Sequence, residues 1–174
     1  VDAAKPTGTF ITSASPGLVA YFMPNHHFPT HEAYVEAVGA VLREEYDAII
    51  AAGFDLQLDC PDLAMSRHIG YSADSDDVWT RKCHASVEVL NAVTAHIPPG
   101  RMRMHLCWGN YAGPHHFDLP LERVLPLALT ARPSAISFEG ANPRHEHEWE
   151  VFSSLRLPED KLIIPGAVSY THLR

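Results

Sequence analysis

The sequence predicts an α/β fold: part of a (β/α)8 TIM barrel, with about five parallel strands present. Three observations lead there. Strand-like and helix-like stretches alternate without exception from Gly8 to Ile164, the strands read as largely apolar runs, and polar residues collect at the ends of successive strands. An open dinucleotide-binding sheet would carry a Gly-x-Gly-x-x-Gly turn after its first strand, and this chain has none there. A complete barrel takes ~250 residues, so 174 residues with five strands is expected to be a piece of one. The expected division is one partial-barrel domain over 1–168 and a non-native tail over 169–174.

The first strand candidate runs from Gly8 to the break at Pro16-Gly17, followed by a loop containing Pro24, Asn25 and Pro29. Thr30 is placed to cap a helix from His31 to about Ala52, with Tyr34, Val38, Val41, Leu42, Ile49 and Ile50 at helical spacing and Gly53 as its stop. Phe54–Asp59 alternates strictly and ends before Pro61, as a strand does. A helix from about Asp76 to His96 starts on acidic residues and stops at Pro98-Pro99-Gly100. Arg101–Cys107 is the third strand, Leu119–Ala131 a shorter helix, Pro133–Glu139 the fourth strand, Glu146–Leu155 a fourth helix and Lys161–Ile164 the fifth strand.

The formal net charge of −8 argues against a nucleic-acid or anionic-membrane surface, both of which want clustered Lys and Arg. No apolar run approaches the ~20 residues of a membrane span, and the beginning of the chain lacks a secretory pattern, so a cytoplasmic protein acting on small molecules is expected. Three cysteines without framework spacing, Cys60, Cys83 and Cys107, suit free thiols in a reducing compartment. Cys83 falls inside a helix and is assigned to packing. Of the 12 histidines, those in the clusters His26-His27, His115-His116 and His145/His147 are mostly expected to be solvated loop residues.

The chemistry centres on Arg101–Asn110. Side chains at i and i+2 of a strand share a face, so His105 and Cys107 aim an imidazole and a thiol into one volume. Asp59 closes the preceding strand and Glu139 the following one, and in a parallel α/β fold those ends share the face where active sites are built. Asp62, Arg67 and Asn110 are polar residues at strand exits that could contact substrate, and Cys60 sits beside the same place.

Three motifs in order carry a family resemblance: Phe54-Asp-Leu-Gln-Leu-Asp-Cys-Pro-Asp-Leu63, His105-Leu-Cys107 and Phe138-Glu-Gly-Ala-Asn-Pro-Arg-His-Glu-His-Glu-Trp149. From about Phe10 to Gly166 the chain resembles the catalytic domain of cobalamin-independent methionine synthase, and most of all its short single-barrel relatives, which include epoxyalkane:coenzyme M transferase. The resemblance implies a zinc ion held by His105, Cys107 and, as third ligand, Glu139. It implies that Asp59 is the acidic residue holding the amino group of homocysteine. The implied reaction is methyl or alkyl transfer to a thiol bound at the metal, with homocysteine and a methylated folate as default partners and coenzyme M as the alternative. Zinc accepts imidazole, thiolate and carboxylate donors tetrahedrally and can keep a position open for a substrate thiol.

The chain also departs from the family. No cysteine follows Cys107, leaving the family's last ligand without a counterpart, and the spacing from Cys107 to Glu139 is longer than in the methionine synthases themselves. Ser169–Arg174 does not resemble the family and reads as a sequencing-adapter scar, so strands are expected to be missing at both ends. Two other functions are open: a non-catalytic barrel fragment that keeps the pocket, and a metal-free decarboxylase-like barrel, against which His105-Leu-Cys107 argues.

Overall fold

The computed structural model of the protein describes residues 6–68, 70–109 and 113–166. Asn110 and the tail over 169–174 lie outside the described residues. Among the described residues, five strands, β1 (Phe10–Ala14), β2 (Asp55–Asp59), β3 (Met102–His105), β4 (Ala135–Glu139) and β5 (Leu162–Gly166), form one sheet in sequence order. Every pairing in it is parallel. The described residues also form the α-helices α1 (Pro16–Phe22), α2 (His31–Ala51), α3 (Asp76–Val93) and α4 (Leu121–Ala128), with a long 3-10 segment at Glu146–Ser153.

The strand order carries topological information. Each connection steps to the next strand in the same direction, and right-handed crossovers then put the connecting helices on one face. An open doubly wound sheet reverses its order at a switch point; this sheet does not. The fold is the expected α/β class, with the sequential arrangement of consecutive barrel units.

Burial alternates along the strands, where more continuous apolar runs were expected. Leu56 and Leu58 of β2, Met102 and Met104 of β3, and Ile136 and Phe138 of β4 pack against Tyr46, Ile49, Trp79, Val87, Leu90 and Leu125 of the helices. The intervening Asp55, Gln57, Asp59, Arg103, His105, Ser137 and Glu139 are half-buried. Helices cover one side of the sheet, so only every second residue needs to be apolar.

The other side is a ladder of polar contacts. Arg101 Nε donates to Asp55 Oδ1 at 2.5 Å, Arg103 Nε to Gln57 Oε1 at 2.6 Å and Gln57 Nε2 to Thr12 Oγ1 at 3.1 Å. The Arg103 guanidinium lies 3.3 Å from the Phe10 ring centroid.

Helix starts follow local chemistry. Thr30 Oγ1 accepts from Ala33 N, and Ser75 Oγ from Val78 N, capping α2 and α3 as N-cap side chains do. Gly53, at φ 89°, turns the chain out of α2. The helix α1 was not anticipated, because Pro16-Gly17 was read as a break. Ser15 caps α1 through Leu18 N at 3.0 Å, and Pro16 at the first helical position costs no hydrogen bond. Pro120 offers α4 no side-chain cap; its Leu121 N–H instead donates to Glu148 Oε1 at 3.1 Å. The stretch expected as a fourth helix at Glu146–Leu155 is 3-10 over Glu146–Ser153. Among the described residues, no helix is long and apolar enough to cross a membrane.

Candidate functional site

Parallel register brings the expected site residues to one end of the sheet. Asp59 is the pairing partner of His105, and His105 of Ser137, so the ends of β2, β3 and β4 lie side by side. Asp59, His105 and Cys107 line one pocket of about 300 Å³ with Leu18, Phe22, Pro61, Met65 and Gly109. Glu139, at the end of β4, meets Cys107 directly: the thiol donates to Oε1 at 3.5 Å. The backbone N–H of Gly109 donates to the same sulfur at 3.0 Å. Asn142 Nδ2 donates to the other oxygen of Glu139, Oε2.

Burial pushes the Cys107 thiol up to about 12; the Gly109 N–H opposes this and the Glu139 carboxylate adds to it. Burial also raises Asp59, against the opposing influence of His105. A thiol and a carboxylate held side by side repel once both ionise, and a divalent cation would turn that repulsion into attraction. Thiolate, carboxylate and imidazole are donors that zinc accepts, so the chemistry of the set fits that ion. As they stand, the thiol and carboxylate touch while the imidazole shares the pocket. Among the described residues, no three His, Cys, Asp or Glu side chains are drawn close enough together to hold a metal ion.

The remaining expected residues sit elsewhere. Asp62 is only 4% exposed and accepts from Ser15 Oγ at 2.9 Å. Burial pushes its carboxyl up to about 7 against that hydrogen bond. A Cβ on Gly17 would fall 2.1 Å from Asp62 Oδ2, so glycine is required where α1 crosses this carboxyl. Arg67 staples its own loop, donating to the carbonyls of Tyr71, Ser72 and Asp74 and to Asp76 Oδ1. Cys60 and Cys83 are buried in the core, and burial raises both thiols.

Sequence reasoning missed a second polar cluster. His26, His27, His116 and His147 are exposed, but the side chains of His115 and His145 are 3% and 4% exposed. His145 Nε2 lies 3.2 Å from Asp118 Oδ2 and its Nδ1 lies 3.2 Å from Glu148 Oε2. His115 Nδ1 is 2.8 Å from the same Asp118 oxygen, and His68 Nδ1 is 3.9 Å from Asp118 Oδ1. Trp108 stacks on His145 with centroids 4.1 Å apart and donates through Nε1 to Leu119 O. Burial alone would lower the His145 pKa, but Asp118 and Glu148 outweigh it and raise the group to about 9. The signal in the sequence was the pair of His/acid spacings at i,i+3, His115 with Asp118 and His145 with Glu148.

No family model matches the chain, and no match is found among curated proteins.

Proposed function

We propose that this chain carries the site of a zinc-dependent thiol alkyltransferase of the cobalamin-independent methionine synthase type, acting on homocysteine with a methylated folate as the default pair. The observation that carries the reading is the Cys107 thiol against the Glu139 carboxylate, with His105 on the same pocket at the next strand end. His105, Cys107 and Glu139 would hold the metal, which when bound supplies the Lewis acidity that lets a substrate thiol lose its proton near neutral pH.

The protein's own groups have separate tasks. Asp59, half-buried on the pocket wall, offers a carboxylate to the ammonium group of an amino-acid thiol. Leu18 and Met65, with the exposed Phe22 at the rim, give the pocket its apolar lining. The Gly109 N–H stabilises negative charge at the Cys107 sulfur. Coenzyme M in place of homocysteine is the alternative thiol within the same reading.

Metal analysis after gel filtration tests the proposal. The expected result is one zinc per chain at most, lost in His105→Ala and Cys107→Ser. Background zinc in the parent, with both variants indistinguishable from it, would sink the reading.

A further inference from the structure

Glu139 has two oxygens and only one faces Cys107, which raises the question of what selects it. The last side-chain torsion of a glutamate is broad and roughly two-fold, so by itself it fixes neither oxygen. Asn142, three residues on, is 4% exposed and spends every side-chain polar atom on the protein. Its Oδ1 accepts from Arg144 N at 3.0 Å and from His145 N at 2.9 Å. With the carbonyl end of the amide occupied by two N–H donors, the NH2 end must face the other way, and there it donates to Glu139 Oε2. The reversed amide would set its carbonyl against a carboxylate and its NH2 against two N–H groups.

Asn142 is itself held. Its backbone carbonyl accepts from His145 N at 3.1 Å and Glu146 N at 2.8 Å, and the His145 ring is pinned between Asp118 and Glu148. The orientation of Glu139 therefore traces back to the buried ionic cluster beyond the site.

We propose that Asn142 is a positioning residue: it occupies Oε2 of Glu139 and so fixes Oε1 toward Cys107, presenting a single oxygen at the strand end. The consequence for metal affinity rests on the zinc reading above; the fixed orientation does not. Groups that orient metal ligands from behind typically carry ~10- to 100-fold in affinity.

Two readouts on the full chain test it. In isotope-labelled, metal-free protein, the Asn142 side-chain amide protons are expected to resonate downfield and exchange slowly, and to move to the range of a free amide in Glu139→Ala. In competition with a chromogenic chelator, Asn142→Ala is expected to weaken zinc binding by ~10- to 100-fold in the parent. In the Glu139→Ala background the same change should matter by less than about twofold, since its effect passes through Glu139. Asn142→Asp keeps the acceptor for the Arg144 and His145 amides and exchanges the donor for a carboxylate oxygen that repels Glu139 Oε2, so where the alanine variant fails to fold it tests the same loss of the fixed Oε1 orientation. An amide signal unmoved by Glu139→Ala, or equal zinc losses in both backgrounds, overturns the proposal. A parent chain that takes up no zinc sinks the alkyltransferase reading, and the amide signal alone then decides the positioning.

Discussion

At the end of β3 the Cys107 thiol faces a carboxylate whose charge works against its ionisation, on the wall of an open pocket. Further along the same connection, Asp118 shares one oxygen between His115 and His145, and His145 spends its second nitrogen on Glu148. Both regions are built from histidine and acidic side chains, yet only in the second does a histidine held in its charged form face the carboxylates. A matched buried cluster holds loops together, whereas a site meant to receive something keeps donors whose best partner is not part of the chain. Asn142 lies between the two and belongs to both.

Replacing His145 should give the largest effect. His145→Ala leaves Asp118 and Glu148 without their shared cation in a buried setting, and a loss of about 3–5 kcal/mol in urea unfolding is expected. A loss below about 1 kcal/mol would mean that the cluster does not hold these loops together.

Next comes the response to pH. The His145 pKa is raised from 6.5 to about 9, so its contribution is fully present below 6.5 and disappears as pH rises through about 9. Asp62, raised from 3.8 to about 7, adds an earlier decline that ends near neutrality, so the His145 arm is read on the alkaline side. Between neutrality and about pH 8.5, below the range where the buried thiols add their own decline, the unfolding midpoint of the parent should fall and that of His145→Gln should stay flat. Parallel curves would break the assignment.

Ser15→Ala removes both the cap of α1 and the hydroxyl that donates to Asp62, for an expected cost of about 1–2 kcal/mol in the same assay. Cys107→Ser should be the mildest, within about 1 kcal/mol, because a hydroxyl can keep the sulfur's two polar contacts, to Glu139 and to the Gly109 N–H. If Cys107→Ser were the more damaging of the two, the thiol would be a packing element and the contrast between the regions would collapse.

The strands and the long helices were legible because their signals are local: Thr30 and Gly53 bracket α2, and Asp55–Asp59 shows its two faces in its own alternation. Asp59, His105, Cys107 and Glu139 could be grouped because parallel strands bring their ends together whatever the loops do. Asp62 could not be placed from sequence, since its burial depends on Gly17 and Ser15 of a helix hidden behind a proline. The His145 cluster was illegible as a unit because its members come from three connections, and a histidine in a polar loop looks the same whether it is solvated or clamped between carboxylates.

The cap that Glu148 provides for α4 links two parts of the chain in time as well as in space. Leu121 N–H has no side-chain acceptor from Pro120, and the oxygen it uses lies 27 residues downstream. During synthesis at ~5–20 residues per second, α4 would wait roughly one to five seconds for that acceptor to be made. Over that interval its start must rest on apolar contacts such as those of Val124 and Leu125 with the strands already present. The last turn of assembly on this side of the sheet is thus deferred until the segment carrying Asn142 and His145 has been added.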